Sequence, residues 1–185
     1  MQKHAPSFDE LKRTYDLIMQ TAVDNFNGER GEVDLAAALF IVDIRPGERV
    51  RVAQFPDHLL LPFYDAEDRD ELTAKQHLVA NLIRSILVAP DGPGGIVPNA
   101  VYLVTHGYHV TTDRPDRTGK PRELSEWDGS KEVIMCNVHT LNGTYLGTSV
   151  IDGEPRHATK GELNRNLLHG PFTMTRPEQQ RAAMH

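Results

Sequence analysis

The stretch Leu103–Thr112, LVTHGYHVTT, decides the fold. Two histidines three apart among tyrosines and threonines could hold a metal, form half of a phosphoesterase, or belong to an ordinary strand. Apolar and β-branched residues run back from it to Ala100, giving AVYLVTHGYHVTT, and this composition predicts an extended strand. On a strand, side chains alternate between the two faces, so His106 and His109 point in opposite directions and cannot readily share one ion. A bulge at Gly107 would be needed to bring them together.

Two further strands are expected after it, KEVIMCNVHTL and TYLGTSVI, joined by Asn142-Gly143, a strong two-residue hairpin signal. Taken literally, that turn sets Leu141 opposite Thr144, His139 opposite Leu146 and Met135 opposite Val150. Working toward the N-terminus, DRDELTAKQHLVANLIRSILVA repeats apolar residues at helical spacing through Leu72, Val79, Ile83 and Ile86, widened by Leu78, Leu82 and Leu87. Asp68, Asp70 and Glu71 sit at its start, where the helix dipole favours acids; this explains the cluster without a catalytic role. APDGPGG ends the helix.

Earlier still, VDLAAALFIVDI (33–44) and RVRVAQF flank Arg45-Pro46-Gly47-Glu48, a tight-turn sequence, and form a hairpin. The first of these strands is apolar on both faces, as a central strand would be. In the second, Val50 and Val52 alternate with Arg49 and Arg51. The chain opens with a helix whose start is marked by Ser7 and Glu10, a capping box. Phe8, Leu11, Tyr15, Ile18 and Ala22 form its apolar stripe, and Asn27-Gly28 closes it. A weak helix is expected at TKGELNRNLL, then a polar tail.

The order α-β-β-α-β-β-β predicts an α+β domain: about five strands in a mostly antiparallel sheet, with two main helices packed on one face. Residues 1–170 are expected to form one domain and 171–185 a polar tail. Apolar residues make up 39% of the 185 and charged residues 25%, as in a globular chain with a real core. No apolar run approaches the ~20 residues of a membrane span, and MQKHAPSFDE lacks the apolar core of a signal peptide. With Cys136 the single cysteine, neither an internal disulfide nor a Cys-rich zinc site can form, and a cytoplasmic setting is expected.

The net charge is -6, but it is uneven: Lys and Arg number 10 against 17 acids over 1–113, and 10 against 9 over 114–185. Neither part carries the basic field of a duplex nucleic-acid binder, and neither a membrane partner nor a bound cofactor or metal is expected. A local anion site in the second part fits the charge balance. Arg114, Arg117, Lys120 and Arg122 crowd DRPDRTGKPRELSEWDGS together with Trp127. A basic segment with an aromatic, adjacent to Tyr108, suits an anionic or nucleotide-like ligand through ion pairing and stacking. Five acids in the same segment favour the plainer alternative, a solvated loop.

His109 and Thr111 are two apart and share a face, and His157-Ala158-Thr159 repeats the spacing. The pair resembles the signature of the two-histidine phosphoesterases, in which two His-x-Ser/Thr motifs hold one phosphodiester. The resemblance implies one imidazole acting as base and the other as acid. With nine histidines in the chain, surface histidines are the plainer reading. His139 reads as a partly buried, hydrogen-bonded histidine and Cys136 as an inert core thiol.

The run VYLVTHGYHV…LSEWDGSKEVIMCNVHTLNGTYLGTSVI, about residues 100–151, is similar to small uncharacterised α+β proteins of bacteria and their phages. In those, a strand leads into a charged, Pro-containing loop, then into Glu-hydrophobic-hydrophobic-Met and a hairpin strand; Glu132, Val133, Ile134 and Met135 fit that part. The resemblance brings no known activity and favours an accessory or mobile-element protein over a housekeeping enzyme; THGYHV stands where the pattern has an acidic-aromatic ending. Three functions follow as expectations. The first is a non-enzymatic accessory protein binding a partner protein or a small anionic ligand through residues 111–130 and the sheet face beside them. The second is a metal-independent phosphodiesterase, and the third a homo-oligomer associating through its sheet edge or an apolar face.

Overall fold

The computed structural model describes residues 3–27, 37–60, 69–110, 129–152, 157–158 and 161–165. The first helix, α1 (Phe8–Asn27), begins at the capping box. The Glu10 amide donates to Ser7 Oγ at 3.3 Å, and the Ser7 amide donates back to Glu10 Oε2 at 2.7 Å. That amide is the main reason the Glu10 carboxyl titrates below its usual range. Leu11, Tyr15, Ile18 and Ala22 are buried along one stripe, joined by Met19 and Val23.

Strand β1 (Ala37–Asp43) is buried at every position. It turns through Arg45–Glu48, where the Glu48 amide donates to the Arg45 carbonyl at 3.2 Å. Gly47 takes φ 74°, the left-handed conformation a type II turn requires at its third position. Strand β2 (Arg51–Gln54) returns antiparallel. A short helix, α2 (Asp57–Leu60), follows, and then α3 (Arg69–Val88). Val79, Ile83 and Leu87 of α3 are buried, while Leu78 is exposed. Glu71 pairs with Lys75 one turn on, at 2.8 Å.

Beyond the bend at Pro93–Gly95 come β3 (Ala100–Val110), β4 (Ser130–Thr140) and β5 (Gly143–Asp152). Two short strands, β6 (His157–Ala158) and β7 (Glu162–Arg165), both pair with β5 on the edge away from β4. The order across the sheet is β2-β1-β3-β4-β5-β6, with β7 beside β5, and every pairing is antiparallel.

The α+β class and the antiparallel sheet agree with the sequence, the sheet having six positions across where about five strands were expected; two finer expectations do not hold. TKGELNRNLL does not form the expected helix in its described part: residues 162–165 are a strand, because β5 has an open edge and Leu163 reaches the core there. The two helices also lie on opposite faces rather than one. Even-numbered residues of β1 and β3, among them Phe40, Val42, Tyr102 and Val104, pack against α1. Their odd-numbered neighbours Leu39, Ile41, Val101 and Leu103 pack with Val79, Ile83 and Leu87 of α3. Two adjacent strands apolar at nearly every position need cover on both sides.

Polar groups fix one end of this sandwich. Asp43, at 2% exposure, accepts both arms of Arg45, at 3.1 and 2.8 Å, and the Val97 amide at 3.3 Å. Asn99 exchanges hydrogen bonds with the Ile44 backbone, receiving the amide at 2.9 Å and donating to the carbonyl at 2.7 Å. Lys3 Nζ donates to the Leu87 and Pro98 carbonyls at 2.6 and 2.9 Å, tying the last turn of α3 to the start of β3.

Candidate functional site

The other end of the sheet is where the basic segment begins and finishes. β3 and β4 pair without a break from Val101 opposite His139 to Val110 opposite Ser130. No bulge occurs at Gly107, so His106 and His109 do fall on opposite faces of the strand. The anchors of residues 111–128 therefore stand a strand's width apart, about 5 Å. Gly129, at φ 76°, swings the chain into β4.

On the α1 face of this end, His106 Nε2 lies 2.8 Å from Glu132 Oε1. Their side chains are 9% and 21% exposed, so the pair is sheltered but reachable from solvent. It is a diagonal contact, since His106 is in register with Ile134 and Tyr108 with Glu132. The next residue, Lys131, is exposed and in register with His109. A carboxylate-bound imidazole and a lysine ammonium thus belong to the two faces of one strand end. Neither partnership was evident in the sequence, although Glu132 falls two residues before the position facing His106.

Of the expected binding residues, Tyr108 is described only in its backbone; Arg114, Arg117, Lys120, Arg122 and Trp127 lie outside the described residues. The two His-x-Thr motifs fare similarly. His109 has its backbone on β3 and His157 on β6, opposite Asp152, whereas Thr111 and Thr159 lie outside. Two strands, β4 and β5, separate the two histidines in the sheet order. Three strand spacings make about 14 Å between backbones. Among the described residues, no three His, Cys, Asp or Glu side chains gather in a way that could hold a metal.

His139 and Cys136 lie nearer the opposite end of β4. His139 is in register with Thr144, not Leu146, and the two side chains approach at 3.4 Å. It is 1% exposed, and burial drives its imidazole down to about 4. Cys136 is fully buried, and burial pushes its thiol well above the ordinary value. Neither is placed to act on solvent-borne substrate; both are core residues.

A feature the sequence did not announce is a groove of about 460 Å³ between α1 and the β1–β2 turn. Glu10, Arg13, Leu17, Ile44, Arg45 and Val50 line it. The alternation of Val50 and Val52 with Arg49 and Arg51 was the signal that could have pointed to it.

Architecture and site together define an α+β protein with a helix on each face of an antiparallel sheet and a basic segment hung from the ends of β3 and β4. No protein-family model, curated protein or solved structure matches the chain. No helix among the described residues is long and apolar enough to cross a membrane.

Proposed function

We propose that the chain is a non-enzymatic accessory protein, of bacterial or phage type, that binds a small anionic, nucleotide-like ligand where β3, β4 and residues 111–130 meet. The observation that carries this reading is the unbroken β3–β4 ladder. It fixes the two ends of the segment whose sequence holds Arg114, Arg117, Lys120, Arg122 and Trp127, and the exposed Lys131 follows that segment on β4. Four guanidinium and ammonium groups tethered at a sheet end can surround a phosphate, and an indole can stack on a base. The phosphodiesterase reading asks for more: the His109 and His157 imidazoles would have to meet on one phosphorus from backbones about 14 Å apart.

Trp127 is the single tryptophan of the chain, so its fluorescence reports on this segment alone. Titration with nucleoside diphosphates and with inorganic pyrophosphate is expected to change that emission saturably. Changing Arg114, Arg117, Lys120 and Arg122 to Ala together should weaken binding by roughly tenfold or more, and added salt should weaken it too. An emission indifferent to all of these anions would overturn the reading. Hydrolysis of a phosphodiester, abolished by His109→Ala, would replace it with the enzymatic one.

A further inference from the structure

Strand β2 ends the sheet, and its outer edge is chemically distinctive. The Phe55 amide donates to the Leu39 carbonyl at 2.7 Å, in line with a register that sets Val42 opposite Val52 and Asp43 opposite Arg51. In an antiparallel pair, residues that bond across the ladder alternate with residues that do not. Phe55, Ala53 and Arg51 therefore turn their backbone groups toward β1, and Val52 turns its N–H and C=O outward.

The side chains are sorted just as clearly. Val52 lies on the α1 face, opposite Val42, and Val50 continues the series into the groove beside α1. These valines are 41% and 38% exposed, and Leu17, across the groove, is 58% exposed. Arg49 and Arg51 occupy the alternate positions, and both are exposed. Arg51 reaches the Gly94 carbonyl at 2.9 Å and Asp43 at 3.7 Å. Arg49 has no ion pair among the described residues.

We propose that the outer edge of β2 accepts an extended segment of a partner protein in which apolar residues alternate with aspartate or glutamate. The added strand would exchange main-chain hydrogen bonds with Val52 and lay its apolar side chains over Val50, Val52 and Leu17. Its acids would face Arg49 and Arg51, since cross-strand neighbours on one face pair by charge. A second copy of this chain fits poorly, because pairing β2 with itself gathers the arginines of both copies on one face, the usual device against self-association.

The test uses the full chain and two dye-labelled peptides of about ten residues, one alternating valine with glutamate and one alternating valine with lysine, read by fluorescence anisotropy. The acidic peptide is expected to bind saturably and the basic one about tenfold more weakly or not at all. Arg49→Glu should erase that preference. Val52→Pro removes the outward N–H at an edge position that tolerates proline, and should weaken the acidic peptide by about tenfold, the worth of one or two hydrogen bonds. Equal affinity for the two peptides, binding of neither, or undiminished binding to Val52→Pro overturns the proposal. Should Val52→Pro fail to fold, the peptide comparison and Arg49→Glu decide it.

Discussion

Replacing Gly147 with alanine is expected to destabilise the protein by about 3 kcal/mol, far beyond what one methyl group costs at an ordinary strand position. Tyr15, on the buried stripe of α1, lies directly on the β5 backbone at Gly147. A Cβ there would fall well inside van der Waals contact of ring carbon Cε2 and 2.5 Å from the hydroxyl. At Gly161, just before β7, an added Cβ would again meet the Tyr15 hydroxyl at 2.5 Å, and the Thr148 carbonyl at 2.8 Å. The phenol has little room to retreat, because it is 1% exposed; the same burial pushes its pKa up to about 12. Either α1 lifts from the sheet or the ring leaves its rotamer. For a chain of this length, thermal unfolding should move down by roughly 6–12 °C. Combining Gly147→Ala with Tyr15→Leu should bring the added cost of the alanine below about 1 kcal/mol, as expected of residues in direct contact. A Gly147→Ala protein melting within about 2 °C of the parent would show that the ring does not rest there.

The second large effect is acid destabilisation centred on His139. Its imidazole titrates at about 4 in the folded protein because burial disfavours the charged form, against an ordinary value of 6.5. The unfolded chain therefore binds the proton first. Stability is intact above pH 6.5, declines as the pH falls toward 4, and levels off below. A displacement of this size corresponds to about 3 kcal/mol over the full window. Glu10, held low by the Ser7 amide, acts in the same direction only where carboxylates titrate, so among the described groups with a shifted value the histidine dominates the interval from 6.5 to 4.5. Urea midpoints measured across it should fall for the parent chain and stay level for His139→Gln. A slope shared by both proteins would assign the acid sensitivity elsewhere.

Much of the fold was legible because local signals and tertiary needs agreed. Ser7 and Glu10 form the cap they spell out, Arg45–Glu48 forms its turn, and the period-two pattern after Ala100 is a strand through Val110. Disagreement arose where distant residues decided. Asn142-Gly143 suggested a turn centred on that pair, but the two-residue loop is Leu141-Asn142, closed by Thr140. The Thr140 hydroxyl accepts from the Asn142 amide at 3.1 Å and donates to the Gly143 carbonyl at 3.0 Å. Gly143, at φ 159°, is merely extended. The register slips by two residues, which leaves every side chain on its expected face. The doubly apolar β1 carried the information that both faces of the sheet are covered, yet the order of elements suggested a single helical layer. The groove beside α1 and the His106–Glu132 contact depend on how separate elements come together, which periodicity does not encode.

The partition of the interior into two compartments has a consequence for how the sequence can vary in length. Along β3, Val101 and Leu103 answer to one set of neighbours, and Tyr102 and Val104 to another that includes the Leu11 carbonyl receiving the Tyr102 hydroxyl at 2.9 Å. Inserting or deleting one residue there exchanges the two populations along the rest of the strand, stranding that hydroxyl among aliphatic side chains. Single substitutions in β3 are local injuries; a one-residue frameshift in its geometry rewrites both cores at once.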